Sequence, residues 1–223
     1  MNPNQSGWPR ATFGALMGLV LSATILTADG PKVRSKAAAD LEATKTVDLY
    51  GSEDWTRLPA WEQTSFFGVR AKGKVFVFVI DCSGSMGGGR LARAKSELRR
   101  TIAQMRFPQK YLVIFYNDST QIMPGGVPRS ADYAAQTTLE NWLGRIDAEG
   151  ATQPRDAMRL GIGLQPDAIF LLSDGEFPRG AVEEINARNQ KPVPVHCIDL
   201  GNGAGTEGLR RIAEHSGGRY AGR

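Results

Sequence analysis

The sequence predicts an α/β protein with a mainly parallel sheet and helices on both of its faces. Short apolar runs rich in β-branched and aromatic residues indicate strands, and apolar residues at helical spacing between those runs indicate helices. The two patterns alternate from Lys74 onwards, as in right-handed βαβ crossovers. Ligands of such sheets bind beyond the carboxyl ends of the strands, so candidate functional residues are sought there.

A series of apolar runs predicts the strands. Lys74–Ile80 reads KVFVFVI, which suits a strand buried on both faces. Tyr111–Tyr116 follows, and the turn at Asn117-Asp118 leads to a short strand at about 120–123. Three further strands are expected at Ala168–Leu172, Val193–Leu200 and Arg219–Ala221.

Helical spacing predicts the elements between the strands. The first helix follows a glycine-rich turn, carries Leu91 and Leu98 on one face, and ends before Pro108. Ser130 is expected to cap the second helix. Further helices are expected from about Pro154, over 181–189 and from Thr206.

Length and composition fit one folded domain with an additional segment. The chain has 223 residues, of which 41% are hydrophobic and 22% charged, so a wholly disordered, collagen-like or disulfide-dense protein is excluded. The net charge of +4 is too small by itself to indicate nucleic acid, and we expect no nucleic-acid partner. The basic residues of the first helix predict a solvated face, with acidic lipid or an acidic partner as the alternative.

The segment 11–28 is apolar and contains no charged residue. A helix of this length spans about 27 Å, close to the ~30 Å hydrocarbon core of a bilayer. Trp8 and Arg10 suit an interfacial position. We therefore expect an N-terminal tail at 1–10 and a single transmembrane anchor at 11–28. An extracytoplasmic domain is expected because exported bacterial-type proteins begin with a short polar N-terminus and a hydrophobic run; a cytoplasmic domain is the alternative, because Lys32, Arg34 and Lys36 follow the segment. A cleaved signal peptide and a buried core helix are the alternatives.

Residues 29–65 are predicted to form a polar linker, followed by the folded domain at 66–223. Aromatic residues are frequent around the end of this linker, among them Trp61, Phe66 and Phe67. We expect them to pack on the domain, with an aromatic partner site as the alternative.

The two cysteines, Cys82 and Cys197, are predicted to be free thiols. The strand that ends before Asp174 is expected to lie between them. Two strand spacings of about 4.8 Å exceed the reach of a disulfide.

Oxygen-bearing side chains follow two of the predicted strands. Asp81, Ser83 and Ser85 alternate along one segment and, if it is extended, point to one side. Asp174 follows a later strand, and Thr152 lies in a glycine-containing loop between them. Two carboxylates and three hydroxyls suit a hard divalent ion, Mg²⁺ or Mn²⁺. Because hydroxyls carry no charge, such an ion would remain electrophilic and accept a carboxylate from another molecule.

The sequence DCSGS at 81–85 resembles the DxSxS motif of von Willebrand factor A-type domains, which are similar to the integrin inserted domain. The stretches PDAIFLLSDGEF (166–177), VPVHCIDLG (193–201) and SGGRY (216–220) resemble a bacterial branch whose domain follows an N-terminal membrane segment. The resemblance covers about 74–220. It implies a six-strand doubly wound sheet whose one antiparallel edge strand is expected near 120–123.

The resemblance also implies a metal ion-dependent adhesion site. Thr152 matches the threonine of the family and Asp174 its second aspartate, so the implied ligands are Asp81, Ser83, Ser85, Thr152 and Asp174. The family often has an acid where this chain has Gln153. Losing that acid would weaken the affinity for the ion without removing a ligand.

These observations predict a membrane-tethered binding module, not an enzyme, whose ion binds an Asp or Glu side chain of a partner protein. The alternative is a metal-dependent hydrolase or phosphotransferase with Asp81 as nucleophile. That chemistry usually places a second acid two residues later, where this chain has Ser83. A structural assembly subunit with an empty site is the third hypothesis. His196 and His215 are expected to be structural.

Overall fold

The computed structural model describes residues 58–175, 177–201, 203 and 206–223. The tail at 1–10, the expected anchor at 11–28 and most of the expected linker lie outside these residues. Among the residues that are described, no helix is long and apolar enough to span a membrane.

The strands of the described residues form a two-stranded hairpin and a seven-stranded sheet. The hairpin consists of the first two strands. In chain order the strands are β1 (Gln63–Phe66), β2 (Val69–Lys72), β3 (Val75–Asp81), β4 (Lys110–Tyr116), β5 (Thr120–Ile122), β6 (Arg129–Ser130), β7 (Ala168–Ser173), β8 (Val195–Asp199) and β9 (Tyr220–Gly222).

Along the chain, the α-helices of the described residues occur between strands of the larger sheet. They are α1 (Arg90–Gln104), α2 (Tyr133–Leu143), α3 (Pro154–Gly163), α4 (Ala181–Arg188) and α5 (Thr206–Ser216). Ser130 does not cap α2 as expected, because it lies in β6. The cap is Asp132, whose Oδ1 accepts a hydrogen bond from the Ala135 amide at 2.8 Å.

The larger sheet has the order β5-β4-β3-β7-β8-β9, with β6 also paired to β4. Every pair from β4 through β3, β7 and β8 to β9 is parallel, which confirms the predicted mainly parallel α/β architecture. The expected antiparallel edge strand is β5. The expected number of six strands is wrong by one, because the two-residue β6 also pairs with the first residues of β4.

The hairpin begins at Gln63, inside the segment expected to be linker. Its turn places Phe67 at φ 49° and Gly68 at φ 74°. Phe66 is fully buried, with its ring 5.2 Å from that of Phe78 and 5.8 Å from that of Phe170. The first described strand therefore starts three residues before the expected boundary at 66.

The four inner strands form the core of the domain. All described positions of β7 and β8 are buried, as are all but the first of β3 and β4. The rings of Phe78 and Phe170 stack at 5.3 Å between adjacent strands. Cys82 and Cys197 are buried free thiols, as predicted, and β7 lies between β3 and β8. The continuous apolar runs in the sequence are explained by this burial on both faces.

Basic residues of α1 bind within their own domain. Arg99 forms an ion pair with Glu140 at 2.7 Å. The Lys95 ammonium donates a hydrogen bond to the Ile146 carbonyl. These contacts attach α1 to α2 and to the loop after it, so neither side chain is available as a free basic patch.

His196 lies in β8 and is buried. Its ring centroid is 5.3 Å from that of Phe170, and its Nδ1 accepts a hydrogen bond from the Arg219 amide at 3.1 Å. Burial, reinforced by the positive charge of Arg219, lowers the pKa of His196 to about 4. The side chain is therefore neutral in the folded domain at ordinary pH.

Acid is expected to destabilise the domain through His196. The unfolded histidine has a pKa of about 6.5, so the unfolded chain takes up the proton first and stability falls as the pH drops from about 6.5 towards 4. Above about pH 6.5, protonation of His196 no longer lowers the stability of the domain. His196→Gln should remove on the order of 3 kcal/mol of this pH dependence, measured by urea unfolding at stepped pH. This prediction is contradicted if the free energy of unfolding changes with pH equally in the variant and the wild type.

Candidate metal site

Asp81 ends β3 and is fully buried. Its Oδ1 accepts a hydrogen bond from the Ser83 amide and its Oδ2 one from the Ser173 hydroxyl, both at 2.8 Å. Burial raises the pKa of Asp81, hydrogen bonds from Ser83 and Ser173 oppose that rise, and the charge of Asp174 adds to it. Asp81 is thus held firmly at the carboxyl edge of the sheet.

The turn after β3 brings two hydroxyls together. The extended backbone stops at Ser83, and a single 3₁₀ turn at Gly84–Met86 follows. This turn places Ser85 Oγ 3.1 Å from Ser83 Oγ, within hydrogen-bond distance. The Arg90 guanidinium donates to the Ser85 carbonyl at 2.7 Å. The convergence of the hydroxyls expected from alternation is therefore achieved by a turn and not by a continuous extended segment.

The loop that carries Thr152 is bonded to this turn through its backbone. The Gly84 amide donates to the Gly150 carbonyl at 2.9 Å. Gly150 has φ +72°, a left-handed backbone conformation that favours glycine. Thr152 is half-buried. The loop is thereby fixed with its threonine beside the serines.

A depression of about 460 Å³ joins the three hydroxyl residues of the predicted set. Phe177 and Pro178, which follow the Asp174 strand, complete its wall. Its lining residues are Ser83, Ser85, Gly150, Ala151, Thr152, Gln153, Phe177 and Pro178. The two aspartates of the predicted set are buried and do not line it.

Asp174 follows β7 and is only 7% exposed. Its Oδ1 is buried and finds no hydrogen-bond partner among the described residues. A buried carboxylate oxygen without a donor is costly, and the nearby Asp81 carboxylate adds like charge. A cation bound here would relieve both penalties.

The donor set fits a hard divalent ion. Within the described part of the chain, no three acidic, histidine or cysteine side chains cluster in a way that suits a metal. Two carboxylates alone are too few for the coordination that Mg²⁺ or Mn²⁺ needs, so the neighbouring hydroxyls and water must supply the remaining oxygens. The residues present can supply such a set from Asp81, Ser83, Ser85, Thr152 and Asp174.

One further hydroxyl residue, Ser173, supports Asp81 and was not predicted from the sequence, and the Tyr116 hydroxyl is buried near Asp81 without a hydrogen-bond partner among the described residues. Ser173 donates to Asp81 across the β3–β7 pair and accepts from the Gly175 amide at 3.1 Å. Tyr116 stands opposite Asp81 in the register of β3 and β4. Burial, followed by the charge of Asp81, raises the pKa of Tyr116 well above its usual range. Ser173 ends β7, but its contact with Asp81 depends on a strand order that the sequence does not state.

Comparisons with known proteins find sequence similarity to one family of domains. Residues 76–176 match the family model of the von Willebrand factor type A domain. The human inter-alpha-trypsin inhibitor heavy chain H4 is 25% identical over 171 residues, and the human von Willebrand factor A domain-containing protein 3A is 27% identical over 163 residues. The matches cover 68% and 69% of this chain but only 18% and 14% of those proteins.

Solved structures share the fold. A von Willebrand factor type A protein from Catenulispora acidiphila has a TM-score of 0.60 at 20% identity, over 70% of this chain and 40% of that one. Proximal thread matrix protein 1 from the mussel byssus, solved with a zinc-occupied MIDAS motif, has a TM-score of 0.52 at 17% identity, over 68% of this chain and 42% of that one. Residues 76–176 are therefore similar to the von Willebrand factor type A domain, and the chain shares the fold of these solved structures.

Proposed function

We propose that this chain is a membrane-tethered module that binds a partner protein through a divalent ion, Mg²⁺ or Mn²⁺. Asp81, Ser83, Ser85, Thr152 and Asp174 would hold the ion, directly or through water. Bound there, the ion would supply positive charge and an open coordination position for an Asp or Glu side chain of the partner.

The observation that carries this proposal is the unpartnered Oδ1 of the buried Asp174. Asp174 lies close enough to Asp81 to raise the pKa of that carboxyl. Ser83 and Ser85 present adjacent hydroxyls in the depression at the same edge of the sheet. The two carboxylates would balance the charge of a divalent ion, whereas the neutral hydroxyls would leave it able to attract a further carboxylate.

The walls of the depression favour contact with a protein. Ala151, Phe177 and Pro178 are apolar, Gln153 is uncharged, and both Ala151 and Gln153 are exposed. A carboxylate entering the depression would lie beside uncharged walls, where its attraction to a cation is screened less than in open water. Neighbouring apolar groups of the partner would pack on Phe177 and Pro178.

The chemistry of Asp81 favours binding over nucleophilic catalysis. A nucleophilic carboxylate must reach its substrate, whereas Asp81 is 0% exposed and both of its oxygens already accept hydrogen bonds. Position 83 holds a serine instead of a second acid. An enzyme that uses Asp81 as nucleophile would have to open this arrangement first.

The tether is proposed from the apolar sequence of 11–28, and the domain is proposed to lie outside the cytoplasm. Protease treatment of intact cells, followed by detection of the chain in membranes, tests this part separately. Release of the chain from membranes by alkaline carbonate would contradict the proposed tether. The proposed metal site would be unaffected by that result.

A divalent ion is expected to stabilise the full-length chain, kept in detergent because of 11–28. At an ion concentration of 100 Kd the gain is about 2.7 kcal/mol, which corresponds to a rise of about 5–10 °C in melting temperature for a domain of this size. Melts in EDTA, MgCl₂, MnCl₂ and ZnCl₂ measure it. Thr152→Ala should lose most of the rise, whereas the exposed Thr137→Ala in α2 should keep it.

Binding of carboxylates is tested with defined probes. Immobilised poly-glutamate should retain the chain in Mg²⁺ or Mn²⁺ and release it in EDTA, whereas poly-glutamine should not retain it. Thr152→Ala should abolish retention and Thr137→Ala should preserve it. Equal melting temperatures in EDTA and in every ion would refute the metal site. Turnover of p-nitrophenyl phosphate that is lost in Asp81→Asn would establish the enzyme instead.

A further inference from the structure

The Asp174 backbone lies in close contact with a glycine from the neighbouring strand end. Gly201 follows β8, and a Cβ placed on it would lie 2.2 Å from the Asp174 carbonyl oxygen and 3.0 Å from its carbonyl carbon. The backbone φ of Gly201 is not positive. Space, and not an unusual backbone conformation, therefore demands glycine at this position.

Gly201 is itself fixed by the last residue of β8. The Gly201 amide donates to Asp199 Oδ1 at 2.7 Å. Between them, the Leu200 amide donates to the Ser173 carbonyl at 2.9 Å. The backbone on one side of Asp174 is thus hydrogen-bonded to this loop, and the Asp174 carbonyl packs against Gly201.

The other oxygen of Asp199 gathers two more segments. Asp199 is 2% exposed, and its Oδ2 accepts hydrogen bonds from the Thr206 hydroxyl at 3.0 Å and the Tyr220 hydroxyl at 2.9 Å. Thr206 begins α5 and Tyr220 begins β9. One buried carboxylate therefore fixes the Gly201 backbone relative to the last helix and the last strand.

We propose that Gly201 and Asp199 are positioning residues for Asp174. They fix the place of the Asp174 carboxylate, and so set the affinity for the divalent ion, without touching the ion. This inference rests on the proposed function, since it assigns two supporting residues to the same site. It also explains why a glycine and a buried acid follow each other so closely at the end of β8.

Gly201→Ala is expected to weaken Mn²⁺ binding about tenfold or more, the range seen when groups that orient metal ligands are altered. The free Mn²⁺ remaining after titration of the folded full-length chain, measured by electron paramagnetic resonance, gives the affinity. The matched control is Gly163→Ala near the end of α3, where a Cβ would meet open space. That variant should bind Mn²⁺ as the wild type does.

A merely structural role would give a different result. It would lower the melting temperature of Gly201→Ala in EDTA and leave the Mn²⁺ affinity of the folded protein unchanged, which would overturn the positioning role. If Gly201→Ala does not fold, the double variant Thr206→Val/Tyr220→Phe tests the inference instead, because it removes both hydrogen-bond donors to Asp199 Oδ2. We expect it to bind more weakly than the wild type, and unchanged affinity would overturn the inference. If the wild type binds no Mn²⁺, both the proposed function and this inference are refuted. If the wild type binds Mn²⁺ and the variants bind it equally well, only this inference is refuted.

Discussion

Asp174→Asn is expected to abolish the stabilisation by a divalent ion and, at the same time, to stabilise the domain in EDTA. Asparagine keeps the shape of the side chain and removes a buried charge that repels Asp81. In EDTA the gain should be about 1 kcal/mol, or about 2–4 °C in melting temperature. With saturating Mg²⁺ the order reverses, because only the wild type gains about 3 kcal/mol from binding.

The reversal distinguishes a metal ligand from an ordinary core residue. If the Asp174 carboxylate had a purely structural role, Asp174→Asn would destabilise the domain equally with and without the ion. Asp156→Asn is the matched control, because the side chain of Asp156 is 71% exposed and its ion pair with Arg159 lies on the surface. Its melting temperature should follow that of the wild type in both buffers. An Asp174→Asn variant that still gains stability from Mg²⁺ would sink the proposed ligand set.

Phe66→Ala is expected to lower the free energy of unfolding by about 3–5 kcal/mol. Phe66 belongs to the hairpin that spans the expected boundary between linker and domain, and it is fully buried. Its ring makes edge contacts with Phe78 and Phe170, which belong to the two central strands. Removing it would leave a cavity under β3 and β7. Urea unfolding of the full-length chain measures the loss.

Tyr133→Ala provides the comparison for Phe66→Ala. The Tyr133 side chain begins α2 and is 87% exposed, so its removal should change the free energy of unfolding by less than about 0.5 kcal/mol. A loss of under about 1 kcal/mol for Phe66→Ala would mean that the hairpin is an accessory to the domain and not part of its core. A large loss would instead require that any shortened form of the domain retain both hairpin strands.

The central strands were predictable because burial on both faces leaves a continuous apolar run in the sequence. Residues 74–80 and 168–172 agree with β3 and β7 to within one residue at each end. The hairpin was not predictable in the same way. Its strands alternate buried and less buried positions over four residues each, and their stability comes from the packing of Phe66 instead of from their own pattern.

The candidate site shows the same division. Asp81 and Asp174 were predictable because polar residues directly after buried strands collect at one edge of a parallel sheet. Ser173 was not, because its hydroxyl becomes a partner of Asp81 only when β3 and β7 are neighbours in register. Gly201 acts through contact with the Asp174 backbone, and periodicity in a sequence carries no information about such a contact.

The direction in which the chain enters the sheet has a mechanical consequence. Gln63 pairs with Lys72, three residues before β3 begins, whereas Asp81 ends β3. A pull between the N-terminal side of the domain and a molecule held at the candidate site would therefore run along β3. The pull would first separate β1 from β2, because Gln63 and Lys72 lie at the open end of the hairpin, and would then load the hydrogen bonds of β3 to β4 and β7 in shear, all at once. The central strands would therefore resist a pull along β3 better than a pull across it.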